Sequence, residues 1–167
     1  VAFARRAGKY GKVSVHLADN LAGFSDDARE MTIQPNKGTF PRIGPLLRTE
    51  NEYTLTADAH ALAGAVRRIG GMVERNMPVI LRYAGKTVEV FAYRDGDVAA
   101  TETMTAEATV DSLEVQFNPG YLAPMLECFD GQVTLGFVGE ALNKPKPVTL
   151  DSPEADTFRA LVVPIKR

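Results

Sequence analysis

The side chains that ordinarily carry catalysis are few in this sequence and poorly spaced for it. There are two histidines, His16 and His60, and one cysteine, Cys128, in 167 residues. A nucleophile, its base and the group that orients the base must converge within hydrogen-bond reach, and no motif here announces such a set. HExxH, CxxC, GxSxG and the phosphate-binding glycine pattern are all missing from the sequence. Asp26-Asp27 and Asp95-Gly96-Asp97 could in principle pair carboxylates for acid–base work. Both lie between strand-like runs, where turn carboxylates ordinarily face water. Ser152, in Asp151-Ser152-Pro153, reads as a turn rather than a nucleophile, and Asp58 as a helix cap rather than a base. Cys128 reads as a small buried hydrophobe. The chemistry these residues favour is binding, with no cofactor and no metal expected.

Charge gives a second set of candidates. Formal net charge is −2, so no global basic signal for nucleic acid exists. Any contact with phosphates must come from local placement. Arg67 and Arg68 lie on the helix face opposite Leu62 and Ile69; that face is either solvated or lines a nucleic-acid channel. Arg5, Arg6, Lys9 and Lys12 form a second basic cluster with the same two readings. A lone cysteine cannot form an internal disulfide, which fits a reducing compartment. No apolar run approaches a membrane span, so no membrane partner is expected.

The elements that must position these residues centre on Asp111 to Phe129. Leu113, Val115 and Phe117 alternate with Glu114 and Gln116, the period of a half-buried strand. Asn118 is placed to cap a helix, and Pro119 suits its first turn. Leu122, Met125, Leu126 and Phe129 then form an apolar stripe. The same figure stands 60 residues earlier: Asp58 matches Asn118, Leu62 matches Leu122, Ala65 matches Met125, Val66 matches Leu126, and Ile69 matches Phe129. Strands are expected at Tyr53–Ala57, Pro78–Tyr83, Thr87–Tyr93 and Val98–Ala108 around the first helix. Around the second they are expected to end at Phe117 and to follow at Gln132–Val138, Val148–Leu150 and Phe158–Ile165. The fold class is therefore α+β: a duplicated βαβββ unit, with two helices packed on one side of antiparallel sheets.

Ahead of this lies a different texture. Residues 1–34 read as a helix end followed by a short meander at Val13–Leu17, Ala22–Ser25 and Met31–Gln34, too little to close a core. The chain starts at Val1 without a methionine, which fits a fragment or processed product. Residues 35–50 hold three prolines and two glycines, a linker composition, yet Phe40, Ile43, Leu46 and Leu47 give it apolar groups that should pack on something.

Four segments carry a resemblance: Gly38-Thr39-Phe40-Pro41, Phe117-Asn118-Pro119-Gly120-Tyr121-Leu122, Asn143-Lys144-Pro145-Lys146-Pro147, and the ending Leu161-Val162-Val163-Pro164-Ile165-Lys166-Arg167. In this order, on a duplicated βαβββ pattern, they resemble the bacterial DNA polymerase III β subunit, the replicative sliding clamp. The resemblance implies the DNA-clamp fold, with residues 1–37 the end of the clamp's middle domain, 38–50 an interdomain linker and 51–167 its C-terminal domain. It implies a non-catalytic processivity factor that tethers DNA polymerase by encircling duplex DNA, as a homodimeric ring in a longer parent chain. Its helices would face DNA without reading sequence, Arg67 and Arg68 among them. Partners would be double-stranded DNA, a clamp loader, and polymerase and other clamp-binding proteins through short linear motifs. The location would be the bacterial cytoplasm, at the nucleoid. Carried over residue by residue, the peptide pocket would use Pro41, Leu46, Asn118, Tyr121, Val162, Val163, Pro164 and Ile165. Gly44-Pro45 stands where the family's linker has a basic residue. The competing readings are a stand-alone clamp-fold peptide-binding module that does not encircle DNA, and a small hydrolase or transferase whose site lies outside this segment.

Overall fold

A computed structural model describes residues 12–39, 42–47, 50–74, 77–139, 146–153 and 155–166, the side chains of 155–157 excepted. The expected helix end at Val1–Ala7, the basic residues Arg5, Arg6 and Lys9, Phe40-Pro41 and Asn143–Pro145 lie outside the described residues. The chain divides into two compact units, Val1–Pro41 and Arg42–Arg167.

In the first unit, β1 (Ser14–Leu17), β2 (Ala22–Asp26) and β3 (Arg29–Ile33) form an antiparallel three-stranded sheet in that order. The β2–β3 turn is closed by Asp26 Oδ1, which accepts a hydrogen bond from Ala28 N at 2.9 Å. Ala22 is buried, whereas Val15, Leu17 and Ile33 lie exposed, Leu17 by 80%. The expected meander is present, and among its described residues only Ala22 is buried.

The second unit opens with a 3-10 turn at Gly44–Leu46 and continues as β4 (Tyr53–Asp58), α1 (Ala59–Gly71), β5 (Val79–Ala84), β6 (Thr87–Arg94), β7 (Asp97–Ala108), β8 (Ser112–Phe117), α2 (Pro119–Leu126), β9 (Gln132–Phe137), β10 (Val148–Ser152) and β11 (Ala155–Val162). The strand order is β11-β10-β9-β4-β7-β6-β5-β8. The pairing exposes the duplication. The first strand of each half lies antiparallel to the second strand of the other: β4 pairs with β9 and β8 pairs with β5. The first half also closes on itself through β4 and β7. In the second half the corresponding closure, among the described residues, is a bond from Ile165 N to Gln116 O at 2.8 Å, just past the end of β11.

The two helices pack against each other on the inner side of the sheet. Residues matched at the 60-residue offset occupy equivalent places: Leu62 and Leu122, Val66 and Leu126, Ile69 and Phe129 are all buried, and Ala65 is buried where Met125 is partly so. Alternation explains the sheet side of this core, since Leu55, Ala57, Val115, Phe117, Val133, Leu135 and Phe137 all point inward. Burying one such aliphatic side chain contributes roughly 1.5–3 kcal/mol, so the stripe, rather than helix propensity, holds the short α2 in place. Both hairpin turns of the first half are of the mirror-image kind. Gly85 and Lys86 have φ of 57° and 69°, and Asp95 and Gly96 have φ of 53° and 91°, the left-handed pairs that match strand twist.

Gly70 is the residue that sets the helix separation. A Cβ there would stand 2.5 Å from Pro119 Cβ and 2.8 Å from its Cγ. The end of α1 and the start of α2 therefore meet backbone to ring, and Gly70 serves a close approach inside the last turn of α1 as well as marking the helix end.

Three expectations need correction. Cys128 is exposed rather than buried, its thiol 3.3 Å from Pro124 O; Phe129 takes the buried place beside it, because α2 ends at Leu126. Ser152 is buried at the end of β10 and belongs to the ladder, not to a loop. The last strand runs Ala155–Val162, not Phe158–Ile165. Val162 pairs with Val148, the first residue of β10, so the ladder ends there; past Pro164, which has no N–H, Ile165 N donates to Gln116 O of β8.

Candidate functional site

The caps expected from sequence build the start of each helix. Asp58 and Asn118 both have extended backbones, with ψ of 124° and 118°. Asp58 Oδ1 accepts from Ala61 N at 2.7 Å, and Asn118 Oδ1 accepts from Gly120 N at 2.8 Å. The Asn118 carbonyl also accepts from Tyr121 N and Leu122 N. Asn118 is thus occupied in fixing the first turn of α2, and that turn aims Tyr121 outward. Tyr121 is 70% exposed, an unusual place for a large aromatic ring on an element whose next two residues are buried.

The chain terminus comes to the same corner. Its bond from Ile165 N to Gln116 O lies two residues before Asn118. Along this tail Val163 is 59% exposed, Pro164 is buried and Ile165 is half-buried. Tyr121, Asn118, Val163 and Ile165 therefore gather at one end of β8. Val162 and Pro164 do not join them as open surface. Val162 packs into the core, and Pro164 is covered. Alternation requires this: with Val163 outward, its neighbours turn in. Leu46 stands on the Gly44–Leu46 turn, which Leu46 N→Ile43 O and Leu47 N→Gly44 O close, and it is 39% exposed beside a similarly exposed Ile43. Pro41 lies outside the described residues.

The exposed flank of α1 carries the charged candidates. Arg67 and Arg68 are exposed, as their spacing predicts. Neither guanidinium stands alone. Arg68 makes a bidentate pair with Glu102 of β7, Nε to Oε1 at 2.8 Å and Nη2 to Oε2 at 2.6 Å. That pair raises the Arg68 pKa further and holds the Glu102 carboxyl below its usual range, the hydrogen bond being the larger cause in each case. Arg67 is in contact with Glu127, the cap residue at the end of α2. His60 Nε2 stands 3.4 Å from Asp130 Oδ1. Sequence reading finds the arginines and misses Glu102 as their neighbour. Glu102 is 34 residues from Arg68, and only the fold of β7 beneath α1 joins them. On the opposite face of the sheet, Arg82 lies 4.5 Å over the Phe91 ring and pairs with Glu114 and Glu89, a packed polar lid over Ile80 and Phe91.

Among the described residues no group of three or more His, Cys, Asp or Glu side chains could hold a metal ion. No helix among them is long and apolar enough to cross a membrane.

The paired βαβββ halves, with two helices on the inner side, are the architecture of solved bacterial sliding clamps. The Caulobacter crescentus beta sliding clamp matches at a TM-score of 0.77 and 22% identity, over 99% of this chain and 45% of that one. A DnaN sliding clamp from Bartonella birtlesii, bound to griselimycin, matches at a TM-score of 0.74 and 18% identity, over 94% of this chain and 42% of that one. Those likenesses define a clamp fold. The sequence carries the matter further. The profile of the DNA polymerase III beta subunit, C-terminal domain, matches residues 45–166. The beta sliding clamp homolog GriR of Streptomyces muensis is 30% identical over 171 aligned positions, which take in 98% of this chain and 45% of that protein. The beta sliding clamp of Streptomyces coelicolor is 26% identical over 152 positions, 89% of this chain and 40% of that protein. The chain belongs to the DNA polymerase III beta subunit family, and it spans less than half the length of these relatives.

Proposed function

We propose that this chain is the peptide-binding C-terminal part of a sliding clamp, a non-catalytic processivity factor that tethers DNA polymerase to duplex DNA by encircling it. In this reading residues 1–37 close the middle domain, 38–50 are the linker, and 51–167 are the C-terminal domain. The observation that carries the reading is the exposure of Tyr121 and Val163, each within five residues of a partner in the Ile165–Gln116 bond. Exposed apolar groups beside a fixed backbone corner mark a place where an extended peptide segment docks, with a few anchors supplying most of the affinity. The pocket is assigned to Asn118, Tyr121, Val163 and Ile165, with Leu46 from the linker side. Its ligands are short linear motifs of the polymerase, the clamp loader and other clamp-binding proteins.

The ring is a homodimer of the complete protein in the bacterial cytoplasm, at the nucleoid. Its helices face DNA, with Arg67 and Arg68 on that side, and make no contact there that reads sequence. Residues 97–105 of β7 pair only with β6 among the described residues, and such an open strand edge suits the addition of a strand from a second subunit.

Fluorescence polarisation with a polymerase-derived clamp-binding peptide tests the pocket. Binding by the chain, lost in both Tyr121→Ala and Val163→Asp, is the expected result. Binding unaffected by either variant removes the site. Peptide binding without retention of the complete protein on closed circular DNA would leave a clamp-fold binding module that does not encircle DNA.

A further inference from the structure

The face on which both helices lie should be the basic one if it grips phosphates. Its described cations are instead each met by an acid from another element. Arg68 is held by Glu102 across 2.6 and 2.8 Å, and Arg67 by Glu127. Asp130 stands beside His60. Helix α2 brings no lysine or arginine at all.

We propose that Glu102 and Glu127 are brakes on DNA contact: they hold Arg68 and Arg67 away from phosphates, so this domain gives duplex DNA a low-friction wall while other parts of the protein supply the grip. The inference rests on the reading that the helices face DNA. A bidentate guanidinium has its fork of donors committed to one carboxylate, and a phosphate must displace that carboxylate to be bound. The charges that attract a phosphate backbone at a distance are also cancelled within one pair length, well inside the Debye length of about 8 Å at physiological salt. A clamp held by topology does not need tight phosphate contact from every domain, and a guanidinium fork already committed to a carboxylate cannot lock onto one phosphate as the duplex passes.

The experiment uses the complete protein carrying Glu102→Gln and Glu127→Gln together, and Glu127→Gln alone as the milder variant. Circular dichroism establishes that each is folded. Anisotropy with a short fluorescein-labelled duplex reads non-specific affinity against salt. The double variant should steepen the slope of log K against log salt by about two, and the single variant by about one. Each halving of salt then tightens binding by the double variant roughly fourfold more than by the parent. A matched control, Glu89→Gln with Glu107→Gln, makes the same net-charge change on the outer face of the sheet, where Glu89 and Glu107 stand opposite Arg82 and Thr56. It should leave the slope at the parent value. An unchanged slope in the helix-face variants, or an equal shift in the control, overturns the proposal. Retention of the parent on nicked circular duplex in high salt, and its release on linearisation, is measured in parallel. Loss of that behaviour refutes the encircling function itself, whereas intact retention with unaltered slopes refutes the brake alone.

Discussion

Two adjacent glycines at the end of α1 give the sharpest test of the packing. A Cβ at Gly70 meets Pro119 Cβ at 2.5 Å, while one at Gly71 meets nothing within 4 Å. Gly70→Ala and Gly71→Ala are the same chemical change, one residue apart, on the same helix. Both remove backbone freedom from the unfolded chain and gain helix propensity, together worth roughly 0.5–1 kcal/mol. At Gly71, in the final turn, stability should rise by up to that amount. At Gly70 the methyl group strikes a proline ring at the first turn of α2, which cannot rotate away. The helices must part by several tenths of an ångström, at an overpacking cost of about 1–3 kcal/mol, so the net effect is a loss of about 1–2 kcal/mol. Urea unfolding followed by circular dichroism reads both, as midpoint shifts of opposite sign at unchanged m. The displacement has a second readout, because Pro119 neighbours Asn118 and lies two residues before Tyr121. Peptide affinity should fall in Gly70→Ala and hold in Gly71→Ala. Midpoints that move in the same direction would refute the account of the helix contact.

Other outcomes follow from the same contacts. Tyr121→Ala should weaken peptide binding by about 2 kcal/mol, roughly 30-fold, while leaving the urea midpoint almost unmoved, since an exposed ring contributes little to folding. Leu62→Ala and Leu122→Ala, at pseudo-equivalent buried positions, should each cost about 2–5 kcal/mol; thermal unfolding checks that the two losses are comparable. Asn118→Ala should cost about 1 kcal/mol through loss of the cap to Gly120 N, read by urea unfolding. Glu102 has a carboxyl pKa held below its reference value of 4.5 by Arg68. A depressed folded-state pKa means that the pair's contribution is present above the unfolded value and is lost as pH falls through the folded one. Glu102→Gln should therefore flatten the acid limb of a stability–pH profile below about pH 4.5 and leave its slope near neutrality unchanged; a shift confined to neutral pH would contradict the pair.

How much was legible beforehand depended on range. Strand alternation, the two caps, the Asp95-Gly96 turn and the stripes at Leu62–Ile69 and Leu122–Phe129 are local, and each rests on periodicity or on one side chain bonding its own helix. These local signals were enough to read the duplication, because two segments with the same caps and stripes must bury the same faces. The candidate pocket was legible in part. Tyr121 and Asn118 sit in a recognisable strand–cap–helix figure, but whether Val162 or Val163 faces outward turns on where a strand ends. The register of β11 on β10, with Val162 opposite Val148, decided that.

The sequence by itself determined the two helices, their caps and the paired halves, because those follow from spacing along the chain. Only the tertiary structure decided that β4 pairs with β9 and β8 with β5, that Gly70 meets Pro119, and that Arg67 and Arg68 are already matched by Glu127 and Glu102. Those contacts join residues tens of positions apart, and packing, not local propensity, selects which distant partners meet.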